Sequence, residues 1–221
     1  MAIEVFWGSG SPFAWRVLLA LEAKGLAYES RLLEFSKGDN RTPAYLALNP
    51  RGQVPVLRDG GYVVYESIAI LAYLESKYPE PPLFGATPEE TGTIWRAVCE
   101  ATAYLEQPVD AFILPIYRGQ LQDPAIERAV RATLPPIQAE LARLEATLRD
   151  RDWLATSRLS AADIAVFPFI QSLLRAAGKP AAAALDHGLT PFETRYPRIA
   201  AWLARVEAMP GYDRTYPPHW R

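Results

Sequence analysis

Cysteine is nearly absent: among 221 residues there is one, Cys99. No intrachain disulfide, no Cys-x-x-Cys redox pair and no cysteine-based zinc site can be built from it. Histidine is almost as scarce, and His187 and His219 have no partners at ligand spacing, so no metal site is implied. Charge of one sign is lacking too. Lys and Arg total 23 against 25 Asp and Glu, a net of −2, which leaves nothing to drive nonspecific binding to nucleic acid or to an anionic membrane. No apolar run reaches the roughly 18 residues of a membrane span. Met1-Ala2-Ile3-Glu4 lacks a basic n-region, and Arg16, Glu22 and Lys24 interrupt the apolar residues that follow, so a cytoplasmic protein is expected.

What is present describes a folded chain. Half the residues are hydrophobic, and 13 Gly with 20 Pro stay below the roughly 25–30% that marks low complexity. Disorder is thereby excluded for the chain as a whole. At this length, one large domain or two small ones both fit.

The first eighty residues alternate strand and helix signals. Ile3 to Trp7 is an apolar strand candidate closed by Gly8-Ser9-Gly10. Pro12 to Lys24 carries Val17, Leu18 and Leu21 at helical spacing, with Gly25 to end it. Tyr28 to Glu34 reads as a second strand, parallel to the first because a helix intervenes. Thr42 to Leu48 has room for one short helix. Val54–Leu57 and Tyr62–Val64 flank Arg58-Asp59-Gly60-Gly61, where Asp-Gly signals a hairpin because Gly tolerates the positive φ of a primed turn. Ser67 to Tyr78 is helical, with Ile68, Leu71, Ala72 and Glu75 in register. Pro79 to Pro88 then holds four prolines and reads as a linker. Beyond it the signal is helical over roughly 88–118, 124–149, 160–177 and 195–208, with kinks expected at Pro108, Pro115 and Pro135-Pro136. Ala181–Ala184 is expected to be a loop, and Cys99 a buried helix residue. The expected organisation is a domain over 1–80, a linker over 81–87 and an all-helical domain over 88–221.

Several helix starts share one device. Ser11-Pro12, Thr42-Pro43, Thr87-Pro88 and Asp123-Pro124 each set an N-cap before a proline whose missing N–H is no loss in the first turn. Thr87 to Glu90 and Ser160 to Asp163 also have the form of capping boxes.

Four motifs in order, Ser11-Pro12-Phe13-Ala14-Trp15-Arg16-Val17, Asn49-Pro50-Arg51-Gly52-Gln53-Val54-Pro55-Val56-Leu57, Tyr65-Glu66-Ser67-Ile68 and Leu159-Ser160-Ala161-Ala162-Asp163-Ile164, give the chain its affinity. It resembles the cytosolic glutathione S-transferases of serine type, bacterial-like with a tau/zeta-like active-site motif. The resemblance covers 3–78 firmly and 88–210 more loosely. It implies an α/β domain of thioredoxin-like fold that binds glutathione, followed by a helical-bundle domain that contributes an electrophile pocket. It also implies a homodimer and a role in detoxification.

The resemblance assigns roles to residues. Ser11, read from sequence alone as an N-cap, would also donate its O–H to the glutathione sulfur. A free thiol with pKa about 8.5 is roughly 3% thiolate at pH 7, and lowering it to about 6.5 gives about 75%, around 25-fold more nucleophile. The helix N-terminus adds positive potential at the same spot. Ser9 is the rival donor, and the five-residue step from Ser11 to Arg16, similar to the tau type, favours Ser11. Val54-Pro55 would be a cis turn whose Val54 backbone pairs with the cysteinyl backbone of the tripeptide. Ser67 at its helix N-terminus would bind the γ-glutamyl carboxylate, with Glu66 facing the ammonium and Gln53 bonding the same end. Arg41 would reach the glycyl carboxylate. Phe13, Tyr104 and Tyr117 are candidates for the pocket of a small hydrophobic electrophile, and Trp220 for covering it.

Glutathione is thus expected as co-substrate, with no metal, nucleic acid or membrane. Serine at the catalytic position argues against mixed-disulfide thiol-transferase chemistry. A peroxidase side activity uses the same thiolate. So does a glutathione-dependent isomerase or dehalogenase, in which the thiolate adds and later leaves. A noncatalytic interaction module on the same fold is the reading from a different class. It is disfavoured because such a module has no need of Ser11, Gln53, Val54-Pro55, Glu66 and Ser67 together.

Overall fold

A computed structural model describes residues 2–221. The chain divides into two compact units, one made of residues up to 83 together with 208–221, the other of 84–207.

The first unit is built on a four-stranded sheet of β1 (Ile3–Trp7), β2 (Tyr28–Leu32), β3 (Val56–Asp59) and β4 (Tyr62–Tyr65) in the order β2-β1-β3-β4. β1 pairs parallel with β2 and antiparallel with β3, and β3 pairs antiparallel with β4. Ile3, Val5 and Trp7 alternate inward from β1 while Phe6 and Glu4 face outward, as period-two patterning requires. Asp59 pairs with Tyr62, so the hairpin turns through Gly60-Gly61, one residue later than the Asp-Gly reading.

Three helices complete the unit's front half: α1 (Pro12–Ala23), α2 (Pro43–Leu46) and α3 (Ser67–Lys77). α1 is buried along almost its whole length. At its end Lys24 is buried, its Nζ 2.7 Å from Glu75 and donating to the carbonyls of Tyr78 at 2.7 Å and Pro81 at 2.9 Å. That ties the segment after α3 to the end of α1.

The second unit is all helical among its described residues. α4 (Pro88–Glu100) runs through a wider π-type turn at Ala101–Leu105 into α5 (Glu106–Tyr117). The break in register falls just before Pro108, which has no N–H to offer the Tyr104 carbonyl. The span expected as one kinked helix over 124–149 is two, α6 (Pro124–Ala132) and α7 (Leu134–Thr147), because Pro135-Pro136 sit in the first turn of α7, where a missing N–H is tolerated. α8 (Ala161–Ala177) is the core helix, with Asp163 enclosed at its start. α9 (Pro180–Ala183) is helical where a loop is expected: Pro180 opens it and alanine has the highest helix propensity. α10 (Phe192–Arg195) and α11 (Pro197–Glu207) follow. Cys99 is exposed, against expectation, because α4 buries Ile94 and Val98 and Cys99 lies one step round the helix from that stripe.

The last segment, with α12 (Tyr212–Thr215) and a short 3₁₀ turn at Pro218–Trp220, belongs to the first unit. Trp15 Nε1 donates to Thr215 Oγ1 at 2.9 Å, and the Trp15 ring packs edge-on to Tyr216 and Trp220. Arg214 Nε donates to Glu22 Oε1 at 2.9 Å, the same oxygen that takes the Tyr28 hydroxyl at 3.0 Å. These residues stand about 200 positions apart in sequence, and all grip α1.

Candidate functional site

A cavity of about 420 Å³ opens in the first unit, within the range of small-ligand sites. Its walls include Arg41, Gln53, Val54, Pro55, Glu66 and Ser67, six of the expected glutathione contacts in one place. Phe13 also lines it, and so do Phe35, Asn40 and Asn49, for which the sequence carried no site reading. Phe35 is an apolar residue half exposed in a polar loop.

One wall is the turn from Asn49 into β3. The Gln53 carbonyl accepts from Tyr45 Oη at 2.7 Å and from Asn49 Nδ2 at 2.8 Å. Burial pushes the Tyr45 phenol up to about 12, so it stays a donor across the ordinary pH range. The Val54–Pro55 peptide is cis. Asn40 Nδ2 donates to the Gly52 carbonyl at 2.7 Å and Arg41 Nη1 to the Arg51 carbonyl at 3.4 Å, so Arg41 is held against this turn. It lies in a 3₁₀ turn, Asp39–Arg41, closed by its own N–H to the Gly38 carbonyl at 2.8 Å.

Another wall is the start of α3. Glu66 occupies the capping position with φ of +70° and ψ of 113°, outside the helical and strand regions that a side chain normally adopts. Its side chain makes no capping bond, so the first-turn N–H groups of α3 have no side-chain acceptor at that position. Ser67 is buried, and its hydroxyl accepts from Arg16 Nη1 at 3.4 Å. Arg16 is itself buried and lies 5.6 Å from the Phe13 ring centroid. A buried guanidinium beside a helix N-terminus is an electrostatic bias toward an anion. The sequence carried Arg16 only as a motif letter.

Ser11 is the N-cap of α1, and its Oγ accepts from Ala14 N at 3.3 Å. It is half-buried, next in chain but one to Phe13, and is not itself among the residues lining the cavity. Tyr104 and Tyr117 lie in the other unit and are exposed, 56% and 46%, so neither is core. Trp220 packs on Trp15 and Tyr216 and does not line the cavity. No group of three His, Cys, Asp or Glu able to hold a metal occurs among the described residues, and no helix there is long and apolar enough to cross a membrane.

A thioredoxin-like sheet with a cleft for a charged small molecule, followed in sequence by an all-helical unit, defines the class. Two family models match, the N-terminal domain of glutathione S-transferase over residues 10–77 and its C-terminal domain over 123–205. Glutathione S-transferase A of Pleuronectes platessa is 31% identical, covering 99% of this chain and 92% of its own. Glutathione S-transferase 1 of Schizosaccharomyces pombe is 32% identical over 98% and 96%. Among solved structures, a glutathione S-transferase from the Antarctic clam Laternula elliptica superposes with a TM-score of 0.80 at 30% identity, covering all of this chain and 94% of the other. The chain belongs to the glutathione S-transferase family.

Proposed function

We propose that Ser11 is the residue with which this glutathione S-transferase ionises the thiol of its co-substrate. The observation that carries the reading is the composition of this cavity. An anion-favouring helix start (Ser67 over buried Arg16), a carboxylate (Glu66) and a separate cation (Arg41) line it together. Glutathione presents the complementary set: an α-carboxylate and ammonium at one end, a glycyl carboxylate at the other. Ser67 and the α3 N–H groups take the first carboxylate, Glu66 the ammonium and Arg41 the second carboxylate. Gln53 and the Val54 backbone take the peptide between them. Backbone strain at Glu66 supports this reading, because strained conformations persist where the surroundings over-determine them, typically at functional sites.

In the proposed reaction the glutathione thiol loses its proton to solvent, and the Ser11 O–H donates to the resulting thiolate at the N-terminus of α1. The thiolate then forms a carbon–sulfur bond to the electrophile, and the electron pair this displaces either departs with a leaving group to solvent or, when an activated double bond is opened, is protonated by water. Phe13, which lines the cavity, is the proposed aromatic contact for an apolar electrophile within the first unit, and Tyr104 and Tyr117 are exposed aromatics of the second that remain candidates. A serine-type chemistry, a homodimeric assembly and a cytoplasmic location belong to the same proposal. So do the domain bounds 1–80 and 88–221.

Ser11→Ala tests it. Loss of the donor returns the bound thiol toward about 8.5, and kcat/KM at pH 7 falls by up to about 25-fold, with the deficit closing as pH rises. Turnover equal to wild type at pH 7 would remove Ser11 from the mechanism.

A further inference from the structure

Ser11 hangs from a tight turn. Its N–H donates to the Gly8 carbonyl at 3.1 Å, and Gly10, at φ +80°, fills the third position, where a type II turn requires a positive φ. Ser9 and Gly10 therefore set the direction in which the α1 cap leaves β1. Neither belongs to the sheet or to the helix, so the turn's rigidity has to come from elsewhere.

It comes from the far end of the chain. His219 Nδ1 lies 2.5 Å from Ser9 Oγ. The imidazole also packs on Gly10, where an added Cβ would meet His219 Cε1 at 2.8 Å. The tautomer follows from the other ring nitrogen. Trp220 Nε1 donates to His219 Nε2 at 3.0 Å, and an indole N–H is only a donor, so Nε2 accepts. The imidazole proton then sits on Nδ1 and is donated to Ser9 Oγ. Behind this pair the segment is anchored separately by Trp15 to Thr215 and by Glu22 to Arg214.

We propose that His219 is a positioning residue for glutathione activation: reaching from the C-terminal segment, it locks the Gly8–Ser11 turn in the conformation that presents the Ser11 hydroxyl to the thiol. Ser9, the rival donor by sequence, is on this account the handle by which His219 holds the turn. The proposal rests on Ser11 as thiol donor, and the experiment separates the two.

The full chain is compared as wild type, Ser11→Ala, His219→Ala, His219→Asn, Ser9→Ala and the Ser9→Ala/His219→Ala double variant. Two quantities are read, the pH titration of thiolate ultraviolet absorbance with glutathione bound, and kcat/KM for glutathione with a model electrophile. His219→Ala is expected to raise the pH midpoint of thiol ionisation and to lower kcat/KM about fivefold, the worth of one neutral hydrogen bond. His219→Asn, which keeps a donor close to Nδ1, is expected to restore most of it. Ser9→Ala is expected to match His219→Ala, and the double variant to be no worse than either. Should His219→Ala lower the melting temperature strongly, His219→Asn and Ser9→Ala carry the comparison. A raised midpoint in Ser11→Ala with wild-type behaviour in His219→Ala overturns this proposal alone, as do additive effects in the double variant. Wild-type ionisation in Ser11→Ala overturns the reading beneath it and this proposal with it.

Discussion

Gly52 and Gly60 share a φ of +63° but not their surroundings, and that difference isolates what the cavity wall demands. A Cβ at Gly60 meets nothing within 4 Å, whereas at Gly52 it stands 2.7 Å from Arg41 Nη1 and 2.9 Å from the Asn40 carbonyl oxygen. Left-handed backbone costs an L-residue about 1–2 kcal/mol, and Gly60→Ala is expected to lose about that much stability with no change in glutathione affinity. In Gly52→Ala the end of Arg41 can swing aside, but the Asn40 carbonyl is backbone and cannot move cheaply. The bonds from Asn40 Nδ2 to the Gly52 carbonyl and from Arg41 Nη1 to the Arg51 carbonyl then yield. At about 1 kcal/mol each they bring the total to about 3–4 kcal/mol. At about 2–4 °C per kcal/mol for a chain of this size, that is a fall of about 6–16 °C in melting temperature. On the proposed pairing of Arg41 with the glycyl carboxylate, displacing Arg41 also removes a charge-assisted contact worth about 1.5–3 kcal/mol and is expected to raise KM for glutathione about 10- to 150-fold. Thermal melts and glutathione titration of both variants check this. Equal melting temperatures for the two, with a wild-type KM in Gly52→Ala, would refute the close approach as the reason for Gly52.

Two further perturbations act away from the cavity. Asp163, fully enclosed, accepts from Leu154 N, Ser160 N and Trp202 Nε1 at 2.9 Å each and from Ser160 Oγ at 3.0 Å. Asp163→Ala strands the three N–H donors at about 1–3 kcal/mol apiece, a large part of an ordinary stability of about 5–15 kcal/mol. The expected result is loss of a cooperative melt, and a melting temperature within a few degrees of wild type would contradict it. Asp59 is a pH-sensitive group. Burial pushes its carboxyl up, but Lys77 at 2.7 Å and the hydroxyls of Tyr78 and Tyr73 outweigh that and hold it below its ordinary value. A depressed acid stabilises the fold above its unfolded value, about 3.9, and loses that contribution as pH falls through the folded one. The stability gap between wild type and Asp59→Asn is therefore expected to be flat above about pH 5 and to shrink below about pH 4. Denaturant titrations across that range measure it, and a gap that widens in acid would show the sign to be wrong.

Local signals were the most legible part of the fold. The four caps expected before proline all form, Ser11 to Ala14, Thr42 to Tyr45, Thr87 to Glu90 and Asp123 to Ala125, because a cap is decided within four residues. β1 has the bounds expected of its apolar run before Gly8-Ser9-Gly10. Features that depend on distant partners were not legible. Nothing local says that Trp15 will meet Thr215, or that Arg16 will be buried under Ser67. The +70° φ of Glu66 has no sequence signature, since glutamate has no preference for it. Cys99 shows a subtler limit: one step of helix phase, about 100° of rotation, separates core from surface, and composition cannot resolve it. Within the cavity, the polar residues proposed to meet glutathione, Arg41 apart, belong to motifs, and they line one pocket. Phe35 and Asn40 belong to none, and their roles come from loop packing.

The grip of residues 212–220 on α1 carries a consequence for biosynthesis. The first unit is discontinuous, so a nascent chain with residues 1–83 already outside the ribosome still lacks Thr215 and Arg214, the C-terminal partners of Trp15 and Glu22. Translation proceeds at about 5–20 residues per second, so that aromatic face waits on the order of ten seconds for its cover. Residues 1–83 produced alone never receive it, and an excised α/β fragment of this protein would present Trp15 to chaperones or to aggregation.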